Sequence, residues 1–136
     1  LDTVSAAVVR GRAADATASG QLRAIITELF ALPPQGRAVI RLAMHDLRHL
    51  PEADQAAFGL AYHDRFLQPL ADVVQAGSAA GEFEPHDPIT VVWIILGMLY
   101  PFLARRPSGG DDEKAVADLL DVLLTGLQSR PSPAGV

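Results

Sequence analysis

The fold is decided by the segment GEFEPHDP (residues 81–88) and by the apolar run ITVVWIILGMLYPFLA (residues 89–104) that follows it. Gly81 is typical of the position just after a helix, Asp87 is a favoured N-cap, and Pro88 fits the first helical position, where its missing N–H costs nothing. We therefore expect one helix to end near Gly81 and another to begin at Pro88. The run carries no charged or amide side chain, and its apolar residues cover the whole circumference of that helix. Both sides of the helix must therefore be covered.

The length of this run distinguishes a membrane from a protein environment. Its sixteen residues span roughly 24 Å at about 1.5 Å each, which is less than the ~30 Å hydrocarbon core of a bilayer. Gly97 and Pro101 also interrupt it. The sequence therefore predicts no membrane span. It predicts a helix buried between its own domain and a second subunit, and so a homodimer.

Composition indicates one globular domain. The chain has 136 residues, of which 49% are hydrophobic and 20% charged, enough to bury most of its unfolded surface in one core. It contains no cysteine, so neither a disulfide framework nor a thiolate metal site can form, and we expect a cytoplasmic protein. The net charge of −5 argues against a broad basic surface for nucleic acid.

The hydrophobic periodicity is helical throughout, so we expect an all-α fold, an antiparallel helical bundle of about five to six helices. Ser19 is the predicted cap of the first amphipathic helix, and Pro69 lies inside a long one. The helices are predicted at about residues 19–32, 36–50, 51–80, 88–104 and 111–127.

Two interior prolines point to a ligand cavity. Pro69 and Pro101 cannot donate backbone hydrogen bonds, so both helices should bend, and a cavity opens between them if the two bends face each other. Large apolar side chains with a few polar tips are what a small-molecule pocket needs. The predicted ligand-binding residues are Tyr62, Phe66, Trp93 and Met98, with Phe30 and Met44 closing the cavity. The alternative is that these residues simply fill the core.

The sequence predicts no catalytic residue, no metal site and no cofactor. His45 and His49 stand four residues apart, but they point away from the apolar face and lack further ligands, which favours a solvated or interface position. His63 and Asp64 are neighbours in a helix and are not expected to face each other as a dyad. There is no phosphate-binding glycine loop and no nucleophile elbow.

The order of these features resembles the C-terminal regulatory domain of TetR-type (tetracycline-repressor-type) transcriptional regulators. The resemblance covers roughly residues 21–127. It is carried by Tyr62, Phe66 and Pro69-Leu70, then Gly77 and Gly81-Glu82-Phe83, then Asp87-Pro88, then Gly97-Met98, and last a leucine-striped helix.

The resemblance implies a homodimer whose last two helices form a four-helix interface with their counterparts. The dimer-interface residues implied are Val92, Leu96, Leu99, Leu103, Leu119, Leu120, Leu123, Leu124 and Leu127. It also implies a small-molecule effector, which the apolar pocket suggests is lipophilic. Effector binding would alter the operator affinity of a helix-turn-helix head, which this sequence does not include.

We therefore expect residues 1–16 to be the remnant of a linking helix, 17–128 to form the regulatory ligand-binding and dimerisation domain, and 129–136 to form a disordered tail. Operator DNA would be bound only through the missing N-terminal domain. The alternatives are a ligand-free helical dimerisation or adaptor module, which predicts a solid core, and a small helical enzyme using His45, His49 or His63 as acid or base.

Overall fold

The computed structural model describes residues 1–103 and 110–129. The helices are α1 (Asp2–Ala13), α2 (Ala18–Phe30), α3 (Pro34–Arg41), α4 (Glu52–Tyr62), α5 (Gln68–Ala79), α6 (Pro88–Leu103) and α7 (Gly110–Leu127). A π-helical turn at His63–Leu67 joins α4 to α5 without a break, so the described residues form six helices and no strand. This confirms the predicted all-α class. Most of the predicted tail and the end of the apolar run lie outside the described residues.

Helix α2 occupies the centre of the bundle. It packs against α1, α5 and α7, and four of its side chains have no exposed surface, namely Leu22, Ile25, Ile26 and Leu29. These residues are spaced three and four apart, which places them on one face of the helix. Burial of such a stripe, at roughly 1.5–3 kcal/mol per large aliphatic side chain, is the main term that stabilises the helix.

The start of α2 differs from the prediction. Thr17, not Ser19, is the N-cap, and its hydroxyl accepts a hydrogen bond from the Gly20 N–H at 3.1 Å. The carboxylate of Glu82 accepts from the N–H groups of Ala18 at 2.9 Å and Ser19 at 3.3 Å. A carboxylate from a distant turn therefore satisfies donors that a local cap would leave open, and its charge is favourable at the positive end of the helix.

The turn after α5 confirms the prediction at Gly81 and fixes the path into α6. Gly81 has a φ of 79°, and the N–H groups of Gly81 and Glu82 donate to the carbonyls of Ser78 and Gly77, which is a Schellman motif. The Asp87 carboxylate accepts from the backbone N–H of Thr90 at 3.0 Å and from its hydroxyl at 2.7 Å. Asp87 therefore caps α6, as predicted.

The same turn also binds the end of α7. The N–H of Glu84 donates to the Leu127 carbonyl at 2.9 Å, and the N–H of Ser129 donates to the Glu82 carbonyl at 3.0 Å. Ser129, the first residue of the predicted tail, is thus hydrogen-bonded, and the remainder, 130–136, is not described. The turn therefore connects the start of α2, the end of α5 and the end of α7.

The chain between α3 and α4 departs from the predicted continuous helix over 36–50. Helix α3 begins at Pro34 and gives way to a π-helical turn, Leu42–Asp46, and a 3₁₀ turn, Leu47–His49. Within the described ranges, none of the helices combines the length and hydropathy needed to cross a membrane.

Candidate functional site

Three aromatic rings form a ladder along α4 and the π-helical turn. The rings of Phe58 and Tyr62 stack with centroids 5.8 Å apart, and the rings of Tyr62 and Phe66 are tilted at 5.1 Å. Phe66 is fully buried, Tyr62 is 4% exposed, and Phe58 at the outer end is half-buried. We call these three residues the aromatic ladder. It runs from the partly exposed surface of the domain into its core.

The hydroxyl of Tyr62 is buried and has no hydrogen-bond partner among the described residues. Burial raises the pKa of this hydroxyl, so it is un-ionised at neutral pH. A buried hydroxyl left without a partner costs on the order of 1–3 kcal/mol. Phenylalanine would fill the same space without that cost, so packing alone does not explain a tyrosine at this position.

The π-helical turn beside the ladder has a physical cause in Pro69. Pro69 has no N–H to donate to the carbonyl of Arg65, as predicted, and the N–H of the preceding Gln68 donates to the carbonyl of His63, five residues back, rather than to that of Asp64. The wide turn therefore absorbs the proline within a continuous helix. Such turns inside α-helices are frequent at functional sites.

Helix α1 is attached to this turn. The Arg65 guanidinium donates to the Asp2 carboxylate, and this contact lowers the pKa of the Asp2 carboxyl. A second ion pair joins α1 to α2, in which Arg10 Nη2 lies 3.0 Å from Glu28 Oε2. Both pairs are exposed and contribute little to stability. Their significance is positional, because they connect α1 to the helix that carries the ladder and to the central helix.

The six predicted ligand-binding residues do not line one common cavity and lie in different parts of the domain. Tyr62 and Phe66 are in ring contact, as the ladder shows. Phe30 is buried, its ring lies 6.2 Å from that of Phe102, and it borders a different hollow of about 320 Å³ against α7. Met44 is half-buried in the π-helical turn after α3.

The remaining two predicted ligand residues lie on α6. Met98 is half-buried and lines grooves between α6 and α7 rather than the ladder, and Trp93 is 49% exposed. The structure therefore brings together only part of the predicted set.

One side of α6 remains exposed although it is apolar. Trp93 and Ile94 are 49% and 54% exposed, and Val122 on α7 is 65% exposed. The exposed stripe of α6 is Thr90, Trp93, Ile94, Gly97 and Pro101. Two grooves of about 470 and 340 Å³ run between the helices, and Met98 and Val122 line both of them. We call this surface the α6–α7 face.

Two glycines leave space on the α6–α7 face for the backbone of another chain to approach closely. A Cβ added at Gly97 or at Gly126 would meet no atom within 4 Å inside this chain. Both positions are exposed. The face therefore combines large apolar side chains with gaps where another backbone could lie close.

Most of the residues implied for the dimer interface point into the subunit, although Leu119 lines the larger groove of this face and Leu123 and Leu127 line the smaller one. Eight of them are buried inside the subunit, at no more than 6% exposure, namely Val92, Leu96, Leu99, Leu103, Leu119, Leu120, Leu123 and Leu127, while Leu124 is half-buried. Their burial within one subunit means that the exposed apolar surface of α6 and α7 is formed mainly by other side chains. The leucine pattern follows the buried side of each helix, and the large exposed apolar residues on the other side are Trp93, Ile94 and Val122.

The histidines do not gather into a catalytic or metal-binding group. The ring of His45 packs against that of Tyr100 at 4.2 Å, and His49 is exposed. His63 Nδ1 lies 3.2 Å from Asp64 Oδ1, contrary to the expectation that these neighbours would not meet, because both side chains are exposed and turn toward each other along the surface. No three His, Cys, Asp or Glu side chains cluster in a way that could hold a metal within residues 1–103 and 113–129.

Comparison with known proteins identifies this architecture. The sequence model of the tetracyclin repressor-like, C-terminal domain family matches residues 15–127, most of the chain. The chain belongs to this family. A solved structure of a bacterial regulatory protein in the TetR family from Rhodococcus RHA1 superposes with a TM-score of 0.72 at 19% identity, covering 96% of this chain and 70% of that one. No curated protein matches the sequence.

The match confirms the resemblance recognised in the sequence. In this TetR-type domain, core packing explains neither the buried Tyr62 hydroxyl nor the exposed α6–α7 face. The sequence did not reveal Ile94, Val122 or Gly126 as members of a face. The sequence contains little signal for this face, because α6 is apolar on every side. Which of its side chains are exposed depends on how the helix is rotated about its axis in the folded domain.

Proposed function

We propose that this chain is the effector-binding and dimerisation domain of a one-component transcriptional regulator. In this proposal a small molecule bound in the helical bundle changes the operator affinity of an N-terminal helix-turn-helix domain, through which alone the protein contacts DNA. The observation that carries the proposal is the α6–α7 face in a domain of this family. The proposal includes a cytoplasmic location and no catalytic role.

The α6–α7 face is suited to a second copy of the chain. Soluble monomers rarely expose large contiguous apolar patches, and such patches commonly mark interfaces. A symmetric dimer places the same patch on both subunits. Ile94 and Val122 would then enter the grooves of the partner, and Gly97 and Gly126 would let the four helices approach closely.

The route from the effector to the DNA-binding domain would pass through α1. Helix α1 packs on α2 and contacts the π-helical turn beside the ladder through Asp2 and Arg65. An effector that favours one position of this turn would shift the position of α1. The shift is limited by the difference in the effector's affinity for the two arrangements, typically about 1–3 kcal/mol.

The test of the dimer is a pair of matched charge substitutions. Ile94→Glu places a carboxylate on the α6–α7 face, and Leu60→Glu places one on α4, where Leu60 is 64% exposed. Burying an unpaired charge costs several kcal/mol, so the first change should weaken a dimer by roughly a hundredfold or more. Both positions are exposed, so the subunit fold should survive both changes.

Sedimentation equilibrium provides the readout. The wild type and Leu60→Glu should have twice the chain mass of 14.4 kDa at micromolar concentration, and Ile94→Glu should have the mass of a single chain. A dimer that resists Ile94→Glu, or one that only Leu60→Glu disrupts, would refute the proposed face.

A further inference from the structure

The buried Tyr62 hydroxyl points to the chemistry of the ligand. We infer that it is the polar anchor of the effector site, and that this site takes a neutral, predominantly apolar molecule whose oxygen acceptor, such as a carbonyl, receives the hydroxyl proton. The inference rests on the proposed function, because it assigns a ligand class to the same domain. Its starting point is that Tyr62 is only 4% exposed and its hydroxyl has no partner within the described part of the chain.

The surroundings of Tyr62 define what such a ligand must be. Its ring contacts are with Phe58 and Phe66, whose faces and edges favour flat or aliphatic groups. An ionised group placed between these rings would lose its hydration without gaining a counter-charge from them. A neutral body with one acceptor pairs with the hydroxyl and leaves no further polar group without a partner.

The outer end of the ladder gives the ligand its access. Phe58 is half-buried, whereas Tyr62 and Phe66 are buried, so Phe58 is the ring that can turn aside with the least loss of packing. The π-helical turn His63–Leu67 lies directly beside the hydroxyl-bearing residue. Phe66 belongs to this turn and its ring contacts that of Tyr62, so a ligand between these rings would touch the segment that Arg65 connects to α1.

A core-filling role for Tyr62 makes the opposite prediction from a ligand-binding role. If Tyr62 only fills space, its hydroxyl is a cost and no neutral ligand should depend on it. If it anchors a ligand, Tyr62→Phe should leave the unliganded domain at least as stable while it weakens binding of an acceptor-bearing molecule. Tyr100→Phe is the matched control, because it removes the hydroxyl of the second of the two tyrosines in the chain.

The experiment uses the neutral fluorescent ketone 6-propionyl-2-(dimethylamino)naphthalene as the probe and 2-(dimethylamino)naphthalene, which lacks the carbonyl, as its analogue. Titrations with each compound are performed on the wild type, Tyr62→Phe and Tyr100→Phe, and urea unfolding is measured for all three proteins. We expect Tyr62→Phe to weaken ketone binding by about three- to tenfold, the size of one neutral hydrogen bond. Binding of the analogue should not change, and Tyr100→Phe should bind both compounds as the wild type does.

Each contrary outcome overturns the inference. Equal ketone affinity in Tyr62→Phe and the wild type would show that the hydroxyl does not contact the ligand. Lower stability of unliganded Tyr62→Phe would show that the hydroxyl already has a partner, and failure of the ketone to bind the wild type would exclude this ligand class. The ketone titrations do not affect the sedimentation test of the proposed function. If the dimer test failed and ketone binding still depended on Tyr62, the proposed regulatory function would be refuted, but the ligand site would not.

Discussion

The packing of α1 on α2 should be unusually sensitive to one methyl group at Gly11. A Cβ added there would lie 2.4 Å from Ile25 Cγ1 and 2.7 Å from both the Cα and the N of Ile25. Two of these three atoms are backbone, so a side-chain rotation cannot relieve the contact. The helices would have to separate until the distance from the new Cβ to the Ile25 backbone rises from 2.7 Å to the 3.4 Å at which ordinary contact begins.

The expected loss follows from two opposing terms. Overpacking of this kind costs about 1–3 kcal/mol, and a Gly→Ala change inside a helix returns up to about 1 kcal/mol. Because the clash is with backbone, we expect Gly11→Ala to lower the free energy of unfolding by about 1–2 kcal/mol. Gly59→Ala in α4 is the matched control, since its Cβ would meet nothing within 4 Å. It should raise stability by about 0.5–1 kcal/mol.

Urea unfolding at one fixed protein concentration measures both variants. The stabilities of the two variants should change in opposite directions from the wild type and differ from each other by about 1.5–3 kcal/mol, with little change in the urea dependence. If Gly11→Ala were as stable as Gly59→Ala, α1 would not be packed closely on α2. The proposed route from the effector site through α1 would then lose its structural basis.

Three further predictions concern single residues. Gly77→Ala should cost about 1–3 kcal/mol in thermal or urea unfolding, because the new Cβ would lie 2.3 Å from the Phe83 ring, and unchanged stability would show that the turn after α5 is loosely packed. The hydrogen bonds from Thr90 lower the pKa of Asp87, so the stability from this cap is fully present above roughly pH 4, the unfolded value, and is lost as the pH falls through the lower native value. Asp87→Asn keeps the cap without the titration, so the stability advantage of the wild type over this variant should shrink on acidification, and a constant difference would contradict the role of Asp87. Gly126→Ala should leave the subunit fold intact and weaken the dimer about tenfold by sedimentation equilibrium, whereas an unchanged dissociation constant would place this glycine outside the interface.

Local signals in the sequence predicted the fold well. Gly81, Asp87 and Pro88 act within a few residues of themselves, and all three were found in the predicted roles. The predicted cap of α2 was wrong by two residues, since Thr17 caps the helix locally and Glu82, which is far away in sequence, satisfies the next N–H groups. A single-sequence pattern contains no information on such a contact.

Contacts within the candidate site could be predicted only between residues of the same helix, where spacing along the chain determines which side chains meet. Tyr62 and Phe66 are four residues apart, so their ring contact follows from helix geometry. The rotation of α6 does not follow in this way, since every side of it is apolar. Leu96 was therefore expected at the dimer interface and lies in the core, whereas Trp93 was expected in the pocket and is half exposed.

The most direct test of the central claim is a distance between two copies across the α6–α7 face. Because the chain has no cysteine, Asp118→Cys introduces one spin-label site at the edge of the larger groove, and Leu60→Cys provides a reference on α4. Pulsed electron paramagnetic resonance should give a label-to-label distance below about 30 Å, the diameter of a small domain, for Asp118→Cys and a longer one for Leu60→Cys. Absence of dipolar coupling at Asp118→Cys, or a shorter distance for Leu60→Cys, would contradict pairing through this face.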